Sequence, residues 1–200
     1  TRCSAHFSIN GISILIDTSP DIKKQFLDNK IKHVDYVLFS HAHADQTAGI
    51  FELRPLFWKK GKKIDIYASK KTISALKKSH TYCFSHKDGY KPILKSNYVN
   101  KKFILKKNSK RVIIKTFEVG HGPINCTAYI INNLAYLSDC NYIPPKFMKK
   151  LINLEYLVID CLKRDKHPTH FNYEEAINIA KVLKPKKTIL TNLHTDLDYN

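Results

Sequence analysis

Short apolar, β-branched runs recur along this chain, and they stop at side chains able to bind a metal or move a proton. "VLFS" runs into His41, "FEVG" into His121, "LAYLS" into Asp139 and "TILT" into Asn192. Runs this short, rich in Val, Ile, Leu, Phe and Tyr, read as strands rather than helices. A side chain at a strand end is held by hydrogen-bonded backbone, so a cluster of such ends is preorganised for chemistry. The chain is thereby constrained to a sheet-based fold whose functional residues gather where strands finish.

The remaining punctuation agrees. In "HFSINGISILIDTSPD" two alternating runs flank Asn10-Gly11, a two-residue hairpin signal. "DIKKQFLDNKI" reads as a short amphipathic helix, "VDYVLFS" and "IDIYAS" as strands, and 71–79 as a helix. Residues 80–110 carry Gly, Pro, Asn and many Lys, and read as loops and short strands. "RVIIKTFEVGHGP", "TAYIINNLAYLSD", "LEYLVID" and "KTILTN" supply further strands, with Asn132-Asn133 as a turn. "NYEEAINIAKVLKP" is a helix with Asn172 and Glu175 at capping-box spacing and Pro185 just past its end. With no repeat and no linker, residues 1–200 are expected to form a single domain.

Composition excludes several classes. At 43% hydrophobic and 11% aromatic the chain can bury a core. It has no apolar run of the roughly 18 residues that a membrane helix needs. The start lacks both Met and a signal-peptide pattern, so a processed or truncated cytoplasmic product is expected. Five scattered cysteines without a CxxC spacing suit reduced, buried thiols. The net charge of +17 invites a polyanion, yet only four of the 34 basic residues are Arg. Lysine placed wherever a solvated residue is allowed, as an AT-rich genome would write it, is the preferred reading, with nucleic acid the less favoured partner.

"HAHAD" carries the chemistry. His41 and His43 alternate by two and can converge on one ion, neutral imidazole being a common zinc ligand, and Asp45 adds charge. Gln46 then stands where another histidine would be expected.

The order of the pieces, Asp17 in "LIDTSPD", then "HAHAD", His121 in "GHGP" and Asp139 in "LSD", resembles the metallo-β-lactamase fold superfamily. "HAHADQTAGIFELRP", "GYKPIL", "VGHGPI", "HPTHF" and "LTNLHTDLDY" resemble, more closely, the branch that contains the cyclic phosphodiesterase of phosphonate breakdown. The resemblance implies a four-layer αββα sandwich of α/β class, here lacking its last strand, with metals at the strand ends. It implies a first metal site of His41, His43 and His121, with Asp139 as a bridging carboxylate. The second site would use Asp45, Asp139 and two histidines, but those two positions hold Gln46 and Asn192, whose amide oxygens are weaker ligands. His194, two residues beyond, is the candidate stand-in.

His170 matches a family histidine near the scissile phosphate, suited to bind phosphate oxygens or protonate the leaving oxygen, and Asp45 shares the catalytic work. Asp17 is expected to brace the histidine loop. His167 is left unassigned, and His6, His33, His80 and His86 lack ligand spacing and are expected at the surface. The family's structural zinc is expected to be absent, with Thr195 at the matching late position.

The resulting expectation is a metal-dependent, phosphodiesterase-like hydrolase holding one Zn2+, alternatively Mn2+, with a phosphorylated small molecule or nucleotide-like substrate. The rival is a catalytically inactive paralogue that binds a phosphorylated ligand or partner. An RNA-processing relative is favoured only by the charge.

Overall fold

Asn10 and Gly11 both adopt positive φ, 50° and 69°, as a two-residue hairpin turn demands. They join β1 (Ala5–Ile9) to β2 (Ile12–Ile16) in register, with Ile9 opposite Ile12 and Ser8 opposite Ser13. β1 alternates in burial and lies at a sheet edge, whereas every residue of β2 is buried. The structure, a computed structural model, describes residues 4–86 and 89–197. They group into two compact units, an N-terminal one (2–99 with 104–112) and a C-terminal one (100–103 with 113–200).

In the N-terminal unit, α1 (Ile22–Asp28) buries Ile22 and Phe26, the apolar face anticipated from sequence. Next come β3 (Tyr36–Leu38), α2 (Ala44–Thr47), a 3-10 turn (Ala48–Leu53) and α3 (Arg54–Lys60). β4 (Ile64–Ala68), α4 (Lys70–Ser79), α5 (Thr81–Phe84) and β5 (Leu94–Tyr98) complete it. The sheet runs β1-β2-β3-β4-β5, parallel from β2 onward. Leu15, Val37, Ile50, Leu53, Ile64 and Ile73 are among its core residues. The helical pieces between residues 44 and 60 were not anticipated. They are short, and α3 buries none of its residues, so they leave no amphipathic period to read.

Further along lie β6 (Lys102–Lys107), β7 (Lys110–His121), β8 (Ile124–Ile131) and β9 (Leu134–Leu137). They are followed by α6 (Pro145–Met148), β10 (Tyr156–Asp160), α7 (Tyr173–Leu183) and β11 (Lys187–Thr191). This sheet has the order β11-β10-β9-β8-β7-β6. β7, β8 and β9 form an antiparallel meander that turns at Asn132 (φ 52°), and β9, β10 and β11 are parallel. Residues 104–112 of the β6–β7 hairpin count with the N-terminal unit. A second core includes Leu137, Leu157, Ile159, Ala176 and Leu183.

The expected capping box opens α7. Asn172 Oδ1 accepts from Glu175 N at 2.9 Å, and Asn172 N donates to Glu175 Oε2 at 3.0 Å. Asn172→Ala is expected to cost about 1 kcal/mol in urea unfolding, because it strands a helix-end donor. Leu157→Ala, in the core, should cost about 2–5 kcal/mol.

Candidate metal centre

Asp17 and Ser40 set the polar end of the N-terminal unit. The Asp17 carboxylate is fully buried and accepts two hydrogen bonds, from Ser40 N and from Ser40 Oγ, both at 2.8 Å. The serine hydroxyl has a single proton, so it can only accept from the neighbouring His41 Nδ1, 3.0 Å away. This chain of bonds puts the His41 proton on Nδ1 and its lone pair on Nε2, the form in which an imidazole ligates metal. Asp17 therefore braces the histidine loop as expected, from a backbone held at φ 61°.

His41 is buried and His43 exposed, with ring centroids 4.5 Å apart. His43 immediately precedes α2, where the turn is tied by Gln46 N donating to His43 O (3.1 Å) and Thr47 Oγ1 donating to the same oxygen (2.9 Å). Asp45 is exposed in the first turn of α2. Gln46 is fully buried, and its Nε2 donates to Asp45 Oδ2 at 3.1 Å.

In the C-terminal unit four strand ends supply the polar residues. His121 closes β7, Asp139 follows β9, Asp160 closes β10 and Asn192 follows β11. His121 Nδ1 donates to Thr169 O at 2.7 Å, which again leaves the lone pair on Nε2. That nitrogen lies 3.9 Å from Asp139 Oδ2, while Asp139 Oδ1 accepts from Ser138 Oγ at 2.7 Å. Gly122 (φ 56°) follows, so close to Thr169 that an added Cβ would stand 2.4 Å from its Cγ2.

Asp160 was missed in the sequence, although "LVID" ends in an acid just as "LID" and "LSD" do. It is completely buried and takes Cys140 N (3.1 Å), Phe171 N (3.3 Å), His170 Nδ1 (2.9 Å) and Asn192 Nδ2 (3.1 Å). Burial pushes its carboxyl above the usual range, against the pull of the His170 hydrogen bond. His170 in turn stacks edge-on at 4.6 Å from the His121 ring. His167 lies beyond it at 5.1 Å, its pKa lowered by burial and then by His170. Asn192 adopts φ 66°, a conformation asparagine tolerates.

The other histidines stand elsewhere. His194, the candidate stand-in, faces Asp196 at 3.2 Å and is half exposed. His6, His33 and His86 are exposed as anticipated, while His80 is half-buried against Phe51 at 6.0 Å. Cys83, Cys126, Cys140 and Cys161 are buried thiols, and Cys3 lies outside the described residues. Burial pushes Cys161 up to about 11, so the thiol beside Asp160 is not a nucleophile at neutral pH. Among the described residues no helix is long and apolar enough to cross a membrane.

Comparison with known proteins places this arrangement. A β-lactamase superfamily domain model matches residues 13–192. The solved structure of a diphosphatase from the PhnP family is 31% identical, covers 98% of this chain and 74% of its own, and superposes with a TM-score of 0.87. The metallo-β-lactamase fold protein YhfI from Bacillus subtilis is 22% identical, covering 98% and 80%, with a TM-score of 0.75. A curated octanoyltransferase from Porphyromonas gingivalis is 28% identical over 188 residues, 92% of this chain. The chain spans only 37% of that protein's length. With two mixed α/β sheets and a family match across most of its residues, the chain belongs to the β-lactamase superfamily, has the metallo-β-lactamase fold and is related to the PhnP family.

Proposed function

We propose that the chain is a metal-dependent hydrolase of phosphate-containing substrates. In this reading residues 1–200 act as one domain, and His41, His43, His121 and Asp139 hold a single divalent ion. The observation that carries it is the preparation of both buried histidines: each has Nδ1 engaged by a protein oxygen, which presents Nε2 as the ligand atom. Three nitrogens and one carboxylate suit zinc first and manganese second. When bound, such an ion acts as a Lewis acid that acidifies water and polarises a phosphoryl oxygen.

The chain's own residues do the rest. Asp160 holds the Nδ1 proton of His170, so in its doubly protonated form His170 gives the Nε2 proton to the leaving oxygen as the P–O bond breaks. Asp45, oriented by the Gln46 amide, takes the proton that the attacking water loses. The 31% identical PhnP-family diphosphatase supports a phosphate substrate, and the excess of lysine suits an anion. Unbridged buried thiols suit a reducing cytoplasm.

A single ion is favoured by the two amides. Gln46 turns its N–H towards Asp45, and Asn192 turns its N–H towards Asp160. Each amide thereby orients a carboxylate, and what it leaves for a second ion is an amide oxygen, a weaker ligand than imidazole.

Elemental analysis of protein purified without chelator is expected to give one metal per chain, lost in His121→Ala. Two at full occupancy would overturn the single-ion reading, and none would favour a binding scaffold. Bis-nitrophenyl phosphate should be hydrolysed faster than a cephalosporin or a glutathione thioester; faster lactam turnover would overturn the substrate class. Asp160→Asn is expected to lower kcat by about 10–100-fold, since it removes the carboxylate that orients His170; because Cys140 N, Phe171 N and Asn192 Nδ2 share that carboxylate, urea unfolding of the same variant checks that the fold is kept. The double change Gln46→His with Asn192→His should raise the stoichiometry from one towards two, and neither single change should do so.

A further inference from the structure

The charge is not spread evenly. Residues 2–99 with 104–112 carry 21 Lys and Arg against 8 Asp and Glu, a net +13. The rest of the chain carries 13 against 9, a net +4. A uniform coding bias towards lysine would load both units alike, so the asymmetry needs a local cause.

Seven of the 21, Lys30, Lys32, Lys59, Lys60, Lys62, Lys106 and Lys107, line three cavities that share walls. A cavity of about 730 Å³ lies between the β1–β2 face and α1, lined by His6, Ser8, Ser13, Asn29, Lys30 and Lys32 among others. Lys32 and His33 also line a second of about 250 Å³, which adds Lys59 and Lys60. Asp35 and Lys60 continue into a third of about 340 Å³, walled by Lys62, Lys106, Lys107 and Asn108. The shared residues make the three one trough.

Its two acids are already engaged. The Asp35 carboxylate accepts from Lys107 Nζ at 2.8 Å and Ser13 N at 2.9 Å, and its carbonyl accepts from Lys60 Nζ at 3.1 Å. Asp65 accepts from Asn97 at 3.0 Å, with Lys95 at 3.7 Å. Lys30, Lys32, Lys59, Lys62 and Lys106 are exposed along the rim. Burial lowers the Lys60 pKa, while the neighbouring Asp35 opposes that fall.

We propose that this trough binds the sugar–phosphate backbone of a nucleic acid. Lysines set along a concave path neutralise successive phosphates, and the serine and asparagine side chains between them hydrogen-bond phosphate and sugar oxygens. An anionic membrane surface would instead meet a flat or convex face. The trough passes Asp35 and Tyr36 at the start of β3, whereas His41 lies past its other end, three residues beyond Leu38. It is therefore a second binding region, independent of the proposed hydrolysis.

Fluorescence anisotropy with a labelled 20-nucleotide single-stranded RNA and a DNA duplex, at 50–300 mM salt, tests this on the full chain. Five phosphate contacts predict a log–log salt slope of about −3.5 for the single strand. The variant Lys30→Glu/Lys32→Glu/Lys62→Glu/Lys106→Glu should bind at least 100-fold more weakly at 50 mM salt and with a shallower slope. A control with the same charge change, Lys149→Glu/Lys150→Glu/Lys181→Glu/Lys184→Glu, should lose less than fivefold; circular dichroism and metal content establish that both are folded. Equal losses in the two variants would reduce the effect to net charge and overturn the proposal. So would failure of the parent chain to bind either oligonucleotide at 50 mM salt, or tighter binding to phosphatidylserine vesicles than to both.

Discussion

Each unit is organised around a carboxylate that has been taken out of water and must be satisfied there. A buried acid without partners costs several kcal/mol, so its donors are fixed as firmly as any core contact. Asp17 fixes Ser40 and, through it, the tautomer of His41. Asp160 gathers two backbone amides, one imidazole and one side-chain amide on two oxygens. The histidines proposed to do the chemistry are the outer members of these networks. The strands deliver the acids, the acids orient the histidines, and the histidines define what can be bound.

Much of this was legible in the residues. Asn10-Gly11 specified its hairpin because positive φ at both positions has few other solutions. The Asn172–Glu175 box specified where α7 begins. The strand-end positions of His121, Asp139 and Asn192 followed from where each apolar run stopped. The short helices between residues 44 and 60 were illegible because each is too brief to repeat a buried face, and α3 has none. Asp160 was illegible for a different reason: its importance lies in four partners drawn from residues 140, 170, 171 and 192, a convergence that no local pattern records. The same limit applied to Gln46 and Asn192, which read as lost ligands in sequence but act in the structure as donors to acids.

Net charge is a sum that says nothing of where its cations lie. As one figure it is compatible with codon bias. Its physical content appears only when the cations are assigned to units and then to walls: the lysines that line Asp35 and Lys60 come from residues 30–32, 59–62 and 106–107, far apart in the chain. Composition reports the sum of a field, whereas a partner responds to its gradient.

The contact between Gly122 and Thr169 has a mechanical consequence. Thr169 sits against the backbone directly after His121, and its carbonyl also holds the His121 ring. The same residue precedes His170, the proposed proton donor. The end of β7 and the 167–170 loop are thus clamped into one body, with no slack for a side chain larger than hydrogen at position 122. A substitution that moves Thr169 therefore moves the carbonyl that holds the His121 ring and the backbone that leads into His170 together.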